Sequence, residues 1–262
     1  MHDVLDLNRF PLHLPGSPRW HALVDRCRAD LADSGMFNLE ALLRPDIAAA
    51  QASAMAPDFA NHSFRHERSH NIYFLDNIKE LSDDHPALQR FTTSNQTLCA
   101  DQITDSVLTE LYEWPPFAQF LAATMDQPAL FLMDDPLARI NVMSYRQGQA
   151  LNWHFDRSEF TTTMLLQAPE QGGEFEYRTD LRSDDDPNYE GVAQLLQRGD
   201  SKVKTLRLSP GTLNVFKGKN CAHRVTPVSG PRDRVIAVFS FYDRPGVAFS
   251  DAERLGFYGR AS

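Results

Sequence analysis

The chain has 262 residues, 42% of them hydrophobic, and a formal net charge of −9. Its length and composition are typical of one large folded domain or two small ones, and they exclude disordered, collagen-like and coiled-coil chains. The acidic balance and the lack of a basic tract argue against nucleic acid or an anionic membrane as partners, so a small-molecule enzyme is the better starting hypothesis.

No segment predicts a membrane span or a secretory signal. The longest apolar run, residues 235–242, is far shorter than the roughly 18–20 residues that cross a bilayer. The first residues are acidic and lack a basic stretch followed by an apolar core. The three cysteines, Cys27, Cys99 and Cys221, are widely spaced, as is typical of reduced thiols. We therefore expect a cytoplasmic protein.

The N-terminal half has helical periodicity, and we expect residues 1–130 to form a helical support region. Ser17 is a candidate N-cap, Pro18 suits the first helical position and Gly35 suits the end of that helix. Further helices are predicted at residues 46–55, 86–91, 104–112 and 117–125.

Three histidines in this half, His62, His66 and His70, have the i, i+4 spacing of one helix face. A zinc site would need a fourth ligand and shielding from solvent. The surrounding polar residues favour an active-site flank or plain surface, and from this segment Arg65 or Arg68 is a candidate anchor for a substrate carboxylate.

From about residue 130 the period of the hydrophobic pattern changes from 3.6 to 2. Strands are predicted at residues 139–145, 151–156, 160–167, 174–178, 202–208, 212–216, 222–226 and 234–242. Short strands separated by Gly and Pro turns are typical of an antiparallel sandwich or barrel. Residues 182–200, with a short helix predicted at 190–198, interrupt this series as an insertion or lid, and residues 246–262 are expected to form a C-terminal tail.

Two histidines and one carboxylate are the candidate metal ligands. His154 and Asp156 share one face of a predicted strand, because side chains alternate along a strand. A lone His-x-Asp pair is more often a surface feature, but His223 follows on a later strand. Two histidines and a carboxylate facing an open site are the ligand set of non-haem Fe(II) oxygenases.

Between residues 139 and 243 the chain resembles Fe(II)/2-oxoglutarate-dependent oxygenases of the prolyl-hydroxylase type. The motifs that carry the resemblance follow one another in the family's order: Tyr145-x-x-Gly148, His154-x-Asp156, Gly172-Gly173-Glu174-Phe175, Pro210-Gly211-Thr212, His223-Arg224-Val225 and Gly230-x-Arg232-x-Arg234. The resemblance implies an α+β fold with a double-stranded β-helix (jelly-roll, cupin-like) core at residues 131–245, on which the helical N-terminal half packs.

The same resemblance implies the cofactors and their ligands. Fe(II) would be bound by His154, Asp156 and His223, with 2-oxoglutarate and O2 as cosubstrates and ascorbate as an assisting reductant. A basic residue on a late core strand would hold the distal carboxylate of 2-oxoglutarate. Arg232 fits the family's Gly-x-Arg pattern, whereas Arg234 fits the register of the strand and is favoured. Tyr145 resembles the family's cosubstrate-binding tyrosine.

A fainter resemblance connects the chain to halogenases and hydroxylases of free amino acids. The halogenases of that group have glycine in place of the ligand carboxylate, whereas this chain keeps Asp156. Hydroxylation of an unactivated C–H bond of a small polar substrate, with release of succinate and CO2, is therefore expected. The alternatives are an oxygenase of a carrier-tethered or peptidyl substrate and a non-catalytic metal-binding jelly-roll module. The sequence identifies neither the substrate nor the oxidised carbon, and it leaves desaturation open.

The candidate substrate-binding residues are polar side chains near the expected cavity. Arg139 and Asn141 alternate with Tyr145 on one strand face, and polar groups inside a barrel are costly unless they meet a ligand or each other. Arg157 follows the His-x-Asp motif directly and, with Arg65, completes the set. The expected partners are a small-molecule substrate and O2.

Overall fold

The computed structural model of the protein describes residues 1–262 and contains six α-helices. They are α1 (Pro18–Ser34), α2 (Pro45–Asn61), α3 (Val107–Glu113), α4 (Pro115–Thr124), α5 (Tyr189–Leu196) and α6 (Asp251–Tyr258). The caps of α1 are the predicted ones, since Ser17 accepts a hydrogen bond from the amide of Trp20 and Gly35 ends the helix with a left-handed backbone (φ 74°). None of the helices combines the length and apolarity that crossing a bilayer requires.

Fifteen strands form the rest of the regular structure. They are β1 (Met36–Leu39), β2 (Phe64–His70), β3 (Phe91–Leu98), β4 (Phe131–Leu132), β5 (Ile140–Tyr145), β6 (Leu151–His154), β7 (Phe160–Gln167), β8 (Gln171–Gly172), β9 (Phe175–Arg178), β10 (Lys204–Leu206), β11 (Leu213–Lys217), β12 (Ala222–Val225), β13 (Val228–Ser229), β14 (Arg234–Phe239) and β15 (Phe241–Tyr242).

Two antiparallel sheets build the core of the fold. The larger has seven strands in the order β1-β11-β7-β14-β5-β3-β2, and the smaller has four in the order β10-β9-β12-β6. Apart from the pairs β2–β3 and β9–β10, neighbouring strands are not consecutive in the chain, and from β5 onwards the chain passes back and forth between the two sheets. This is the jelly roll that the resemblance implied.

The alternation of side chains divides the large sheet into two faces. Val235, Ala237 and Phe239 of β14 join a cluster of 36 buried residues that includes the N-terminal helices. Arg234 and Ile236 lie on the opposite, inner face, where Ile236 packs in a different cluster with Tyr145. The apolar outer face therefore anchors the helical layer, and the inner face is free to line a site.

The N-terminal half is less helical than the sequence predicted. The segment 86–91 has only a 3₁₀ turn at Pro86–Leu88, and a strand begins at Phe91. His66 and His70 lie on β2 rather than on a helix, because α2 ends at Asn61 and the next residues pair with β3. Strands β1, β2 and β3 extend the large sheet, so the expected boundary at residue 130 does not separate helices from sheet.

Residues 182–200 do not form the lid that the sequence predicted. Helix α5 packs in a cluster with Trp153, Phe155 and Ala222, whose side chains are on the outer face of the small sheet. Odd-numbered residues of β6 point away from His154, so α5 supports the outside of the sheet. The predicted tail at 246–262 contains α6, which contacts Asn141 and His66 and so covers one end of the barrel.

Candidate metal centre

His154, Asp156 and His223 meet on the inner face of the small sheet. His154 of β6 and His223 of β12 are paired across the strands, and their rings are 4.1 Å apart. Each Nε2 atom lies 3.4 Å from a carboxylate oxygen of Asp156, His154 from Oδ1 and His223 from Oδ2. One ligand atom from each of the three residues lies within 4.8 Å of the other two.

Backbone carbonyls orient both imidazole rings. The Nδ1 atom of His154 lies 2.8 Å from the carbonyl oxygen of Asn152, and that of His223 lies 2.9 Å from the carbonyl of Cys221. A carbonyl oxygen only accepts, so Nδ1 carries the hydrogen and donates it in each ring. Nε2 of each ring is thus the atom that faces Asp156, and it is the atom left free to bind a metal once it carries no proton.

Charge and burial determine how the three groups hold protons. Burial lowers the pKa of His154, and the neighbouring His223 lowers it further. Burial by itself would also lower the pKa of His223, but the carboxylate of Asp156 outweighs it and raises the pKa to about 10. Burial would raise the pKa of Asp156, but the charge of His223 keeps it well below its usual range. The site thus favours a positively charged His223 beside the carboxylate of Asp156.

The donor set fits a divalent cation. Three ligands at about 2.1 Å, at right angles around an octahedral ion, would have their atoms about 3 Å apart. The observed 3.4 Å separations between the nitrogens and the carboxylate oxygens are close to that value. A cation at this point could replace the positive charge that His223 otherwise provides. Two imidazoles and a carboxylate on one side leave the other positions open, which is the arrangement of non-haem Fe(II) sites.

Two residues outside the sequence-predicted set position Asp156. The hydroxyl of Thr161 donates a hydrogen bond to Oδ2 of Asp156. A Cβ atom at Gly218 would lie 2.2 Å from that same oxygen, so only glycine leaves room for the carboxylate there. The spacing of Thr161 from the His-x-Asp motif could have indicated its role. Gly218 gave no such signal, because its proximity results from the pairing of distant segments.

Arg234 and Tyr145 form a second polar group on the inner face, where they are directly paired on β14 and β5. Arg234 is 2% exposed, its Nε donates to the carbonyl of Gly173, and its Nη1 has no hydrogen-bond partner. Tyr145 is 1% exposed, and its hydroxyl has only the weak acceptor Sδ of Met143 at 3.7 Å. Arg232, by contrast, is exposed. A buried guanidinium with an unpartnered donor fits the carboxylate of a dicarboxylic acid.

One end of the barrel near the metal centre is bordered by residues that we call the mouth: His66, Arg68, Phe74, Arg157 and Phe257. The ring of Phe74 is 6.0 Å from that of His154, and the guanidinium of Arg68 is 4.9 Å from the ring of Phe74. Phe257 of α6 stacks on His66 at 6.3 Å. Helix α6 and the loop that holds Phe74 therefore cover this end.

Arg157 joins the mouth to α6. Its guanidinium lies 2.9 Å from the carboxylate of Glu253 and 5.9 Å from the ring of Phe257. Asn141 lies deeper, where its side-chain oxygen accepts a hydrogen bond from the buried hydroxyl of Tyr258 at 2.8 Å. Asn141 is thus already paired and supports α6.

The other two candidate substrate residues point away from the metal centre. Arg139 is 3.0 Å from Glu113 and lies over the ring of Tyr112, so it contacts the helical layer. Arg65 forms an ion pair with Glu67 at 2.6 Å, and both are on the outer side of β2, because residues 65 and 67 alternate with His66 and Arg68. Arg68, rather than Arg65, faces the mouth.

Comparisons with known proteins agree with this geometry. The family model described as Halogenase D matches residues 21–248. No curated protein matches the sequence. Among solved structures, the chain is similar to a prolyl-4-hydroxylase of Pseudomonas putida, with 15% identity, a TM-score of 0.52 and coverage of 85% of this chain and 100% of that one.

Two other solved structures are similar over comparable lengths. The α-ketoglutarate-dependent epimerase SnoN from nogalamycin biosynthesis has 14% identity and a TM-score of 0.56, with 85% of this chain and 82% of that one covered. HygX from Streptomyces hygroscopicus, with nickel and 2-oxoglutarate bound, has 12% identity and a TM-score of 0.53, with 86% and 94% covered. At these identities the likeness establishes the fold.

Proposed function

Because the chain belongs to the halogenase D family of Fe(II)/2-oxoglutarate-dependent oxygenases, we propose that it hydroxylates an unactivated C–H bond of a small polar substrate. A free amino acid or a derivative of one is the substrate class that we favour. The reaction would release succinate and CO2 and would place one oxygen atom of O2 in the product.

The observation that carries the proposed outcome is the position of Asp156. Its two carboxylate oxygens lie 3.4 Å from the Nε2 atoms of His154 and His223. In the halogenases that the sequence resembles, glycine leaves this coordination position free for chloride. Here the carboxylate of Asp156 would occupy that position, and the hydroxyl of Thr161 holds the carboxylate in place. Hydroxylation is accordingly favoured, although the family model is described as a halogenase.

The roles of the chain's own residues follow from the site. His154, Asp156 and His223 would hold Fe(II), while the carbonyls of Asn152 and Cys221 keep the imidazoles in the binding tautomer. When bound, Fe(II) and 2-oxoglutarate together supply the O2 activation that a C–H oxidation requires.

Arg234 would donate to the distal carboxylate of 2-oxoglutarate through its unpartnered Nη1, and Tyr145 would donate its weakly bonded hydroxyl. Both side chains are almost fully buried, so water competes little for these hydrogen bonds. The outer face of the sheet is sealed by the helical layer. The cosubstrate would therefore be fixed by groups that need no rearrangement.

The mouth supports a small polar substrate. Arg68 has no acidic partner, and Arg157 has only Glu253, with 74% of its side chain exposed. Both guanidinium groups could reach an anionic group of a substrate that enters here. The cover formed by α6 at the mouth favours a small molecule over a peptide or a carrier protein. An amino acid with its carboxylate at the mouth and its side chain towards His154 fits these limits.

The test is a screen of amino acids and their derivatives for substrate-stimulated succinate release by the Fe(II)-loaded enzyme. For an accepted substrate, in buffer that contains chloride, we expect a product about sixteen mass units heavier than the substrate, and about eighteen units heavier when the reaction is run under ¹⁸O2. A chlorinated product, or a product two mass units lighter than the substrate, would refute hydroxylation. Succinate release stimulated only by peptides would refute the proposed substrate class.

A further inference from the structure

A cavity of about 490 Å³ is lined by Arg234, which pairs with Tyr145 at the end of the β14–β5 pair away from Asn141 and α6. We call it the rear cavity, and its lining includes Leu165, Ala168, Phe175, Leu206, Leu208 and Arg234. It lies between the turn that follows β7 and the strands β9 and β10 of the small sheet, of which β10 is an edge strand. None of the five mouth residues lines it.

The inner end of the rear cavity reaches a residue that contacts the candidate metal ligand His223. The ring of Phe175 lies 5.7 Å from the ring of His223. Arg234 belongs to the same lining and has the unpartnered Nη1 atom, although it is 2% exposed. A buried donor without a partner costs free energy, so a ligand that accepts from it should bind at this end.

The outer end of the rear cavity opens at the surface. Arg207 lines this end with 83% of its side chain exposed, and its Nη2 atom lies 2.8 Å from the carboxylate of Glu174. The volume of about 490 Å³ lies within the roughly 300–1,000 Å³ of pockets that hold drug-sized ligands, which are larger than 2-oxoglutarate. Space therefore remains between a cosubstrate bound to Arg234 and solvent.

We propose that the rear cavity is the port through which 2-oxoglutarate reaches Arg234 and succinate leaves. This inference rests on the role of Arg234 in the proposed function. A dicarboxylate would enter past Arg207, pass between Leu206 and Ala168 and meet the guanidinium of Arg234. Exchange of the cosubstrate would then need no movement of α6, and a substrate at the mouth would not block it.

The experiment places a bulky group at each end of the barrel. Arg207→Cys puts a thiol at the rear cavity, and Leu75→Cys puts one beside Phe74 at the mouth, where Leu75 is 50% exposed. Each is labelled with a bulky maleimide, and the unlabelled form of the same variant is its control. The native cysteines are buried, and burial raises the pKa of Cys27 to about 12 and that of Cys99 to about 11, so they should not react.

The readout is the visible charge-transfer absorption of the anaerobic Fe(II)–2-oxoglutarate complex, followed by stopped flow. We expect the label at residue 207 to slow both binding and release of 2-oxoglutarate at least about tenfold, with little change in Kd, because both directions use the same port. The label at residue 75 should change neither rate. Circular dichroism and iron content should be the same in all four samples.

Two results would refute the proposal that the rear cavity is the port. Unchanged rates with the label at residue 207, or equal slowing by the label at residue 75, would show that the cosubstrate uses the mouth. Failure of the proposed role of Arg234 has a different signature: the unlabelled protein forms the charge-transfer complex, and Arg234→Leu binds 2-oxoglutarate as tightly as the wild type. The two failures are thus distinguishable, and neither measurement needs the substrate.

Discussion

Replacement of Arg234 by leucine should separate cosubstrate binding from stability. The guanidinium is 2% exposed, and its Nη1 donates to no group of the protein. Burial lowers the pKa of Arg234 to about 10, which means that the folded protein without cosubstrate disfavours the charge. A leucine at this position removes that cost. We therefore expect the free energy of unfolding of Arg234→Leu to stay the same or to rise by about 1 kcal/mol.

Cosubstrate affinity should move in the opposite direction. A hydrogen bond to a charged group contributes about 1.5–3 kcal/mol, and burial of Arg234 places the loss towards the upper end. Since about 1.4 kcal/mol is a factor of ten, Kd for 2-oxoglutarate should rise about tenfold to hundredfold. The exposed Arg232 is the matched control, and Arg232→Leu should change Kd less than about twofold.

The assay is an anaerobic titration of the Fe(II)-loaded variants with 2-oxoglutarate, together with urea unfolding of the metal-free proteins. The reasoning would be refuted if Arg232→Leu weakened binding while Arg234→Leu did not. It would also be refuted if Arg234→Leu lowered affinity only in proportion to a loss of stability. Arg234→Lys keeps a charge but not the planar fork, and it should bind with intermediate affinity.

Three further predictions concern the metal site and the C-terminal helix. His223→Ala should bind less than one equivalent of Fe(II) by metal analysis and retain the wild-type circular dichroism, because the hydrophobic core does not include the metal. Full iron content in an active variant would contradict the assignment of His154, Asp156 and His223 as ligands. Gly218→Ala should weaken iron binding at least about tenfold with little change in fold, since its Cβ would lie 2.2 Å from Oδ2 of Asp156. Gly199→Ala is the control, because the added Cβ there would meet only the carbonyl oxygen of Gln194 at an ordinary 3.5 Å. Asp135→Asn should destabilise the protein by roughly 2–4 kcal/mol at pH 7, because it breaks the ion pair at 3.0 Å between the fully buried Asp135 and the partly buried Arg254. Burial would raise the pKa of Asp135, but backbone donors and Arg254 outweigh it and lower the pKa below its ordinary 3.8. The stability from Asp135 is therefore fully present above about pH 4 and is lost as the pH falls through the folded-state pKa. Urea unfolding should show that wild type and Asp135→Asn differ less in free energy of unfolding at about pH 3 than at pH 7. A difference independent of pH would contradict the assignment.

Local patterns in the sequence determined much of the core. The period-two pattern predicted a strand at 160–167, and β7 spans Phe160–Gln167. The i, i+2 alternation placed His154 and Asp156 on one face and Trp153 and Phe155 on the other, as the structure has them. The same rule places Arg232 and Arg234 on one face, and the rigid strand that begins at Arg234 was the reason to favour that residue for an inward position. Arg234 is buried, whereas Arg232 is exposed. These features depend on the geometry of a single strand, which the chain encodes locally.

Pairing between distant segments decided the rest. The i, i+4 histidines suggested a helix, but hydrogen bonds to β3 hold residues 64–70 in a strand, where His66 and His70 are about 13 Å apart. The polar segment 182–200 resembled a lid, yet the apolar side of α5 is satisfied by the outer face of the small sheet. The cover of the mouth is α6, held by Asp135 and Arg157, which lie more than 90 residues earlier in the chain. Gly218 became essential only where its backbone met the carboxylate of Asp156. Such contacts leave no periodic trace in the sequence, because they depend on which surfaces remain unburied after the sheets have formed.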